Sequence, residues 1–591
     1  MLRKILEIVH KILLILDKQQ KCLGAVVLLC ALLAAVFETV GVSVIIPLVN
    51  VLLDTDALWN NVYVSIVTSF LHIETDEKLI IMIIGGVIFI YVLKNLFFSL
   101  YAWLRVKYAN KIERETTIRM MNSYMSRGYK FFLSHNYSEI LQGAAGDVDS
   151  LYHVIINLLQ AISQITVCIF ICAFMIITDW QLALALVATA VICLVLIVVV
   201  FRRAMLSAGI VFRENAIKSS KVFTEAFHGI KEVLVMRKQK YFIDEYEKYT
   251  IKKQNAQVMQ TVGGEIPAYI IEAICISGIM VVLCVRIINI ENPGTFISTL
   301  AAFAVGAFRI LPALGKISVA INNTSTAIPG VDSVYENIVE ARDYNLPYNS
   351  TTSLDEEAYV NMEFSNSIEV RDVTFAYDKE VGNVLEAVNL KVNKGQSIAL
   401  VGESGAGKST LADIILGVLD ADEGKILVDG IDIHMVPNRW SELIGFVPQS
   451  IYLADVSVRE NVAFGEPEEC ISDERVRHAL EQANLLNFVD ELPDGIYTHV
   501  GDRGVRLSGG QRQRIGIARA LYRAPEILVL DEATSALDND TEESVMEAIE
   551  SLQGRITLII IAHRLTTVRK CDRIYKIVNG KAVERKYEDL V

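Results

Sequence analysis

A glycine-rich segment near residue 400 has the composition and spacing of a phosphate-binding loop. Its members are Gly402, Glu403, Ser404, Gly405, Ala406, Gly407, Lys408, Ser409 and Thr410. The apolar run Ser397–Val401 precedes it and predicts a strand, and a helix is predicted to begin near Ser409. In such a loop, backbone N–H groups surround the phosphates, and the helix N-terminus adds positive potential. Lys408 is the candidate ligand of the outer phosphates, and the Ser409 hydroxyl is suited to Mg²⁺.

Two carboxylates follow a second apolar run. Ile527–Leu530 is continuously apolar and predicts a buried parallel strand, and Asp531 and Glu532 stand at its carboxyl end. Asp531 is predicted to hold Mg²⁺, and Glu532 to polarise the attacking water as general base. The loop and the acidic pair together predict a protein that binds ATP and Mg²⁺ and hydrolyses the nucleotide.

These residues need an α/β domain to position them, and the sequence provides one after a long apolar region. From Ile368 onward, short strands alternate with helices, the pattern of an α/β P-loop domain. We predict four segments: an amphipathic N-terminal helix at 1–22 that ends in Lys18 and Lys21, an all-α six-helix transmembrane domain at 23–321, a polar connector at 322–367, and an ATP-binding domain at 368–591.

The bulk composition agrees with a membrane domain joined to a soluble one. The 591 residues are 52% hydrophobic, yet 21% are charged. Six apolar segments reach the roughly 20 residues that a bilayer crossing requires. They are predicted at 23–53, 79–104, 151–178, 180–201, 262–290 and 295–320.

Loop charge sets the orientation of these spans. The stretches 105–150 and 202–261 are rich in Lys and Arg, whereas the loop after the first span is acidic, so both basic stretches and both chain ends are predicted to be cytoplasmic. The two stretches have helical patterns, so the membrane helices are predicted to continue beyond the bilayer into the cytoplasm. At their far ends, Tyr129–Leu141 and Phe223–Leu234 are predicted to contact a soluble domain. We therefore predict a multi-pass protein of the inner (cytoplasmic) membrane with its ATP domain in the cytoplasm.

Charge and cysteine content argue against other classes. The net charge is −14 and the C-terminal half has no Lys/Arg-rich tract, which argues against nucleic-acid binding. Most of the nine cysteines stand singly within apolar runs, so we interpret them as packing residues rather than as a disulfide framework.

Charged residues lie within predicted spans, where ionised groups are expensive and usually face a partner or a cavity. Those of interest are Glu38, Lys94, Glu272, Arg286 and Arg309, and Arg286 is interpreted as a residue that snorkels to the membrane interface. Two readings stand side by side: the charges pair with one another, or they line a polar substrate pathway.

The segment Leu507-Ser508-Gly509-Gly510-Gln511 resembles the signature of ATP-binding cassette transporters of the exporter type. The resemblance extends over essentially the whole chain. It implies that this signature completes the ATP site of a second subunit, with Ser508 and the Gly510 amide at the γ-phosphate.

Other family elements occur in the expected order. Tyr377 resembles the aromatic residue that stacks on adenine, and Gln449 resembles the residue that links the metal site to the membrane domain. Ser535–Asp538 resembles a loop between the two sites, and His563 resembles the switch histidine at the γ-phosphate. Thr498–Gly504 matches an exporter-specific contact segment, with a departure from its usual acidic start.

One cassette and six spans make half of such a transporter, so the resemblance implies a dimer. Intact Glu532 and His563 favour a homodimer with two competent sites, and a heterodimer with a degenerate partner stays open. The six spans disfavour a soluble cassette ATPase acting on ribosomes or DNA, and the intact Glu532 disfavours an ATP-gated channel.

Three membrane segments suggest the cargo. Phe37–Leu48, Pro267–Glu272 and Phe308–Pro312 resemble bacterial flippases for lipid-linked oligosaccharides of the protein-glycosylation type. That resemblance implies a membrane-lipid substrate whose pyrophosphate meets cavity cations, here Arg309 and Lys94, although Ala268 stands where the pattern has an arginine. Exporters of drugs, other lipids or peptides remain alternatives, as does a role of Arg309 in merely neutralising Glu38 or Glu272.

Overall fold

The computed structural model describes residues 2–44, 75–178, 180–287, 293–341, 363–501, 504–532, 539–562 and 568–590. The chain divides into two compact units. The membrane unit comprises Met1–Arg127 and Ser134–Pro347, and the cassette unit comprises Gly128–Leu133 and Tyr348–Val591.

The membrane unit is helical. Its elements and the short helix that it shares with the cassette unit are α1 (Leu2–Ile15), α2 (Lys18–Ser43), α3 (Asp76–Met125), α4 (Tyr129–Ser134), α5 (Tyr137–Leu141), α6 (Val148–Thr178), α7 (Trp180–His228), α8 (Ile230–Val235), α9 (Gln239–Ile287) and α10 (Pro293–Tyr335). π-Helical turns at Gln142–Asp147 and Glu336–Glu340 follow α5 and α10.

Among the described residues, three stretches are long and apolar enough to cross a membrane: Lys18–Ser43, Glu77–Met125 and Tyr137–Ile177. The other three predicted spans lie in α7, α9 and α10, which contain side chains outside the description. The 50 residues of α3 span about 75 Å, more than twice the ~30 Å hydrocarbon core. The prediction that membrane helices continue beyond the bilayer is therefore confirmed for α3.

The N-terminal helix ends earlier than the sequence suggested. The predicted helix over 1–22 is in fact two helices, and the Asp17 amide donates to Gln20 Oε1 at 2.9 Å as part of a capping box that starts α2. Lys18 and Lys21 therefore lie in the first turn of α2 rather than at the end of the amphipathic helix.

The boundary after the last membrane helix also differs. We predicted a polar connector from residue 322, but α10 continues to Tyr335 and a π-helical turn to Glu340. Residues 342–362, with most of the polar run that suggested a connector, and residues 45–53 of the first predicted span lie outside the described part.

The cassette unit contains two sheets with helices around them. Its strands are β1 (Ser367–Phe375), β2 (Leu385–Asn393), β3 (Ser397–Val401), β4 (Glu423–Val428), β5 (Ile431–Asp432), β6 (Ile444–Val447), β7 (Ile527–Asp531), β8 (Thr557–Ile561), β9 (Arg573–Val578) and β10 (Lys581–Arg585). Its helices continue as α11 (Lys408–Ile415), α12 (Pro437–Leu443), α13 (Val458–Val462), α14 (Asp473–Gln482), α15 (Leu486–Asp490), α16 (Gly509–Leu521) and α17 (Asn539–Glu550).

The six-stranded sheet has the order β10-β9-β3-β8-β7-β6, and only β10 runs antiparallel to its neighbour. The smaller sheet, β2-β1-β4-β5, is antiparallel. In β3, Ala399 and Val401 face one apolar core while Ile398 and Leu400 face the other. Because both faces of the sheet are covered, the strands read as uninterrupted apolar runs, and the prediction of a buried parallel strand at Ile527–Leu530 is confirmed.

Candidate functional site

The carboxyl ends of four neighbouring parallel strands, β3, β8, β7 and β6, meet at one edge of the large sheet. Hydrogen bonds join these ends: the Ala562 amide donates to Leu400 O, and the Glu532 amide donates to Ile561 O, each at 3.1 Å. This edge therefore brings together the phosphate-binding loop after β3, the acidic pair at the end of β7, and Gln449, which follows β6. Ligands of open α/β sheets bind at such an edge.

Two glycines of the loop are required by its geometry. Gly402 has φ +153°, and a Cβ there would lie 2.7 Å from Ile577 O. Gly407 has φ +101°, and its Cβ would lie 2.9 Å from Leu385 Cδ2. A side chain at either position meets both backbone strain and a close neighbour, so the loop can adopt this shape only with glycine.

Lys408 lies at the centre of the loop. Its side chain is almost completely buried, and Nζ donates to the carbonyl oxygens of Gly402 and Glu403, both at 2.9 Å. Burial lowers the pKa of Lys408, and the charges of Glu532 and Asp531 oppose that shift. The ammonium is held where phosphate oxygens would approach it, and Ser409, next in the helix, is exposed.

Tyr377 stands beside the same helix. Its hydroxyl shares a 3.0 Å hydrogen bond with Thr410 Oγ1, and its ring meets the Phe375 ring edge-on at 5.0 Å. The residue remains 42% exposed, so a ring face is accessible to a planar base. Its role in stacking on adenine stays a prediction.

The two carboxylates and Gln449 lie at the same edge of the large sheet. Gln449 Nε2 donates to Glu532 Oε2 at 2.8 Å. Glu532 has φ +47°, an unusual conformation for a residue with a side chain, directly after the last residue of β7. The Ser409 hydroxyl, the Gln449 amide oxygen and the Asp531 carboxylate supply the oxygen atoms that Mg²⁺ prefers, so this set of donors fits that ion.

Asp413 is a site neighbour that the sequence analysis missed. Burial raises the pKa of Asp413 to about 6, and the negative charge of Asp531 contributes in the same direction. No motif marks this residue. The available signal was a carboxylate five residues after Lys408, among the apolar residues Leu411, Ala412, Ile414 and Ile415 of helix α11.

The signature segment forms the capped N-terminus of helix α16. Ser508 is the N-cap of α16: the Gln511 amide donates to Ser508 Oγ at 3.3 Å, and the Ser508 amide donates to Gln511 Oε1 at 2.8 Å. Ser508 and Gly509 are exposed and Gly510 is buried. The Gln511 side chain thus caps its own helix, and the contact of this segment with nucleotide stays a prediction.

Some predicted site residues lie outside the described part of the chain. These are His563, Ser535–Asp538, and Asp502 and Arg503 of the exporter-specific segment. The described start of that segment is anchored to the turn before α13, where the Val458 amide donates to Thr498 O and the Val500 amide to Val456 O. Its contact role stays a prediction.

The first predicted contact stretch belongs in part to the cassette unit, which includes Gly128–Leu133. Lys130 Nζ donates to Ala376 O at 3.2 Å and lies 5.3 Å from the centre of the Phe375 ring, next to Tyr377. The contact predicted for Tyr129–Leu141 is confirmed for its first residues. In the second stretch, Phe223 and Phe227 are exposed with ring centres 4.6 Å apart, and their contact stays a prediction.

Four of the charges within the predicted spans lie in two different environments of the membrane unit. Glu38 and Lys94 are buried and form an ion pair of 3.4 Å, and Arg309 Nε bonds to the same carboxylate oxygen, Glu38 Oε1. Glu272 is exposed on α9. Of the two readings of these charges, pairing is observed between Arg309 and Glu38.

Two family models match the chain. "ABC transporter transmembrane region" matches residues 24–309, and "ABC transporter" matches residues 385–535. Curated relatives include "ATP-dependent lipid A-core flippase" of Desulfotalea psychrophila, 31% identical over 85% of this chain and 86% of the relative. Another is "Heterocyst differentiation ATP-binding protein HepA" of a Nostoc species, 32% identical over 78% of this chain and 74% of the relative.

Among solved structures, a bacterial Atm1-family ABC exporter with ATP bound matches with a TM-score of 0.74 and 20% identity, over 95% of each chain. At that identity the match concerns the fold: an N-terminal helical transmembrane domain followed by an α/β nucleotide-binding domain, as the sequence predicted.

Proposed function

We propose that this protein, which belongs to the ABC transporters, flips a phosphate-bearing lipid, such as a lipid-linked oligosaccharide, from the cytoplasmic leaflet. The chain is an exporter that couples ATP hydrolysis to transport across a membrane. The observation that carries the proposal is Arg309, a guanidinium in the membrane unit that remains 48% exposed although it bonds to Glu38. A phosphate or pyrophosphate headgroup needs such a cation within a low-dielectric region.

The relatives support a lipid cargo. The Desulfotalea protein is named for flipping lipid A-core, and this chain matches 86% of its length. An amphipathic lipid that carries sugars and phosphate is the proposed cargo class, and both this similarity and the membrane segments around Arg309 support it.

For the ATP reaction we assign roles to the residues at the edge of the large sheet. Lys408 and the amides of the phosphate-binding loop would hold the phosphates, and Tyr377 would stack on adenine. Ser409, Gln449 and Asp531 would hold Mg²⁺, which neutralises phosphate charge when bound. Glu532 would accept the proton of the attacking water while Gln449 orients its carboxylate through the 2.8 Å hydrogen bond.

We further propose a homodimer in which each signature segment completes the other subunit's site. Ser508 and Gly509 are exposed at the capped N-terminus of α16, as a surface that receives phosphate from a neighbouring chain requires. Two copies with Glu532 and His563 would carry two competent sites.

Reconstitution tests the cargo. The purified protein is placed in liposomes that contain a fluorescent lipid-linked oligosaccharide, and ATP-dependent movement between leaflets is measured by a membrane-impermeant quencher. We expect movement with wild type and none with Glu532→Gln. ATP-driven efflux of a drug without any lipid movement would contradict the proposed cargo and favour the drug-exporter alternative.

A further inference from the structure

Three charged side chains from distant parts of the membrane unit converge on one carboxylate. Glu38 of α2 and Lys94 of α3 are 1% and 4% exposed, and both Lys94 Nζ and Arg309 Nε of α10 bond to Glu38 Oε1. Together they carry one negative and two positive charges. We call these three residues the ion triad; its net charge is +1.

Lys94 is the fixed member of the ion triad. A Cβ on Gly41 would lie 3.3 Å from Lys94 Cδ, so the lysine stem lies against the bare backbone of α2. Its ammonium lies 4.4 Å from the centre of the Tyr91 ring, and the Tyr91 hydroxyl donates to Gly41 O at 3.3 Å. The glycine, the ring and the carboxylate enclose the ammonium, so Lys94 alone provides Glu38 with a permanent counterion.

Arg309 is the accessible member. Its side chain is 48% exposed, against 5% for Lys94. Arg309 also bonds to Glu38 Oε1, the oxygen that Lys94 already contacts. The second oxygen, Glu38 Oε2, is buried and makes no hydrogen bond within the described structure. Because Lys94 already balances Glu38, the Arg309 guanidinium is an excess positive charge in a low-dielectric region, and an anion is its natural further partner.

We propose that Glu38 and the phosphate headgroup of the lipid compete for Arg309. Glu38 holds the guanidinium when no headgroup is present, releases it when a phosphate or pyrophosphate binds, and takes it back as the lipid leaves. Glu38 is thus a positioning residue that weakens headgroup binding enough to permit release, and Lys94 keeps the carboxylate neutralised during the exchange. This inference rests on the proposed lipid cargo, and it adds a role for an acidic residue that would otherwise seem to oppose an anionic substrate.

Binding of a polyprenyl diphosphate to the full-length protein in phosphatidylcholine nanodiscs tests the competition, with the uncharged polyprenol as the reference probe. Glu38→Gln should tighten diphosphate binding about tenfold, because Arg309 loses its internal competitor. Arg309→Met should weaken it at least tenfold, and neither change should alter polyprenol binding. Glu247→Gln, which removes an exposed carboxylate of α9 outside the triad, is the control and should leave both probes unaffected.

A second variant guards against loss of folding. Glu38→Gln combined with Lys94→Met removes the buried pair together, so neither charge is left buried alone, and it should bind the diphosphate more tightly than wild type. The test uses whichever of the two Glu38 variants folds. If that variant binds the diphosphate no more tightly than wild type, the proposed competition is wrong and the triad only stabilises the fold. That result leaves the proposed cargo intact, which fails separately if wild type moves no phosphate-bearing lipid in liposomes.

Discussion

The side-chain amide of Gln449 donates a 2.8 Å hydrogen bond to the carboxylate of Glu532. The two residues follow different strands, β6 and β7, that lie next to each other in the sheet. A residue assigned to the metal site and to communication with the membrane domain therefore touches the proposed general base directly. A displacement of Gln449 would therefore move or release the carboxylate that we propose to activate water, without any intermediate residue.

Glu532→Gln should reduce ATP turnover by about 10²–10⁴-fold, because the variant keeps the side-chain shape but cannot accept a proton. ATP binding should persist. Phosphate release and nucleotide affinity are measured on the same preparation, with Glu442→Gln, a surface substitution on α12, as the control. Unchanged hydrolysis would contradict the assigned role of Glu532.

Gln449→Met should lower kcat by about 10-fold or more, since a hydrogen bond to a charged group contributes ~1.5–3 kcal/mol. Methionine keeps the length and removes both the donor and the metal-facing oxygen. The Mg²⁺ concentration that gives half-maximal activity should also rise. A loss of kcat with an unaltered Mg²⁺ requirement would keep Gln449 as an orienting residue and remove it from the metal site.

Gly407→Ala should lower the affinity for ATP by more than tenfold. The backbone has φ +101°, which disfavours a side chain, and a Cβ would lie too close to Leu385 Cδ2. Gly405→Ala is the matched control in the same loop: Gly405 has φ +81°, but nothing lies within 4 Å of its Cβ. In that control, the only expected cost is the backbone strain of about 1–2 kcal/mol, without the additional cost of a close contact. Equal affinities of the two variants for a fluorescent ATP analogue would show that the close contact is unimportant.

Asp413→Asn should stabilise the cassette at neutral pH. The folded-state pKa of about 6 exceeds the ordinary 3.8, so between these values the folded protein binds the proton and the unfolded chain does not. The penalty is full above about pH 6 and disappears as pH falls towards 3.8. Because Asp413 is partly exposed, we expect Asp413→Asn to raise the free energy of unfolding by ~1 kcal/mol at pH 7. This corresponds to a rise of about 2–4 °C in the melting temperature.

The comparison for Asp413 is thermal unfolding of the full transporter at pH 7 and pH 5. The gain from Asp413→Asn should be larger at pH 7 than at pH 5, whereas Asp420→Asn, at an exposed carboxylate, should change little at either pH. An equal gain at both values would mean that the carboxylate charge is not the source of the instability.

Lys130→Met should separate hydrolysis from transport. The change removes the donor to Ala376 O and the cation beside Phe375 while keeping most of the side-chain volume. We expect ATP turnover within about twofold of wild type and several-fold less lipid moved per ATP, with Lys248→Met, at an exposed lysine of α9, as the control. Undiminished transport would show that this contact only positions α4.

The sequence was sufficient for the parts of the site that depend on local order. A strand, a glycine loop and a helix start are adjacent in the chain, so the position of Lys408 followed from spacing, and the apolar run before Asp531 placed that residue at the same sheet edge. Gln449 and Glu532 are 83 residues apart, and their hydrogen bond depends on strand order, which spacing alone does not specify.

Long-range ion pairing was the harder problem. Arg309 and Glu38 are 271 residues apart, and no periodicity in the sequence distinguishes Glu38 from Glu272 as the partner. The boundary between α1 and α2 was predicted after residue 22 rather than at Asp17 for a different reason. Both sides of Asp17 favour helix, and a single capping box decided where one helix ended and the next began.

In the proposed dimer, the Ser508–Gln511 capping box would have a kinetic consequence for assembly. Because α16 closes its own first turn with two internal hydrogen bonds, the surface offered to a second cassette needs no ordering on arrival. Pre-organised surfaces associate with little loss of conformational entropy. The lifetime of the closed dimer would then depend on how quickly the bound ATP is hydrolysed. ATP would not be needed to order the surface of α16.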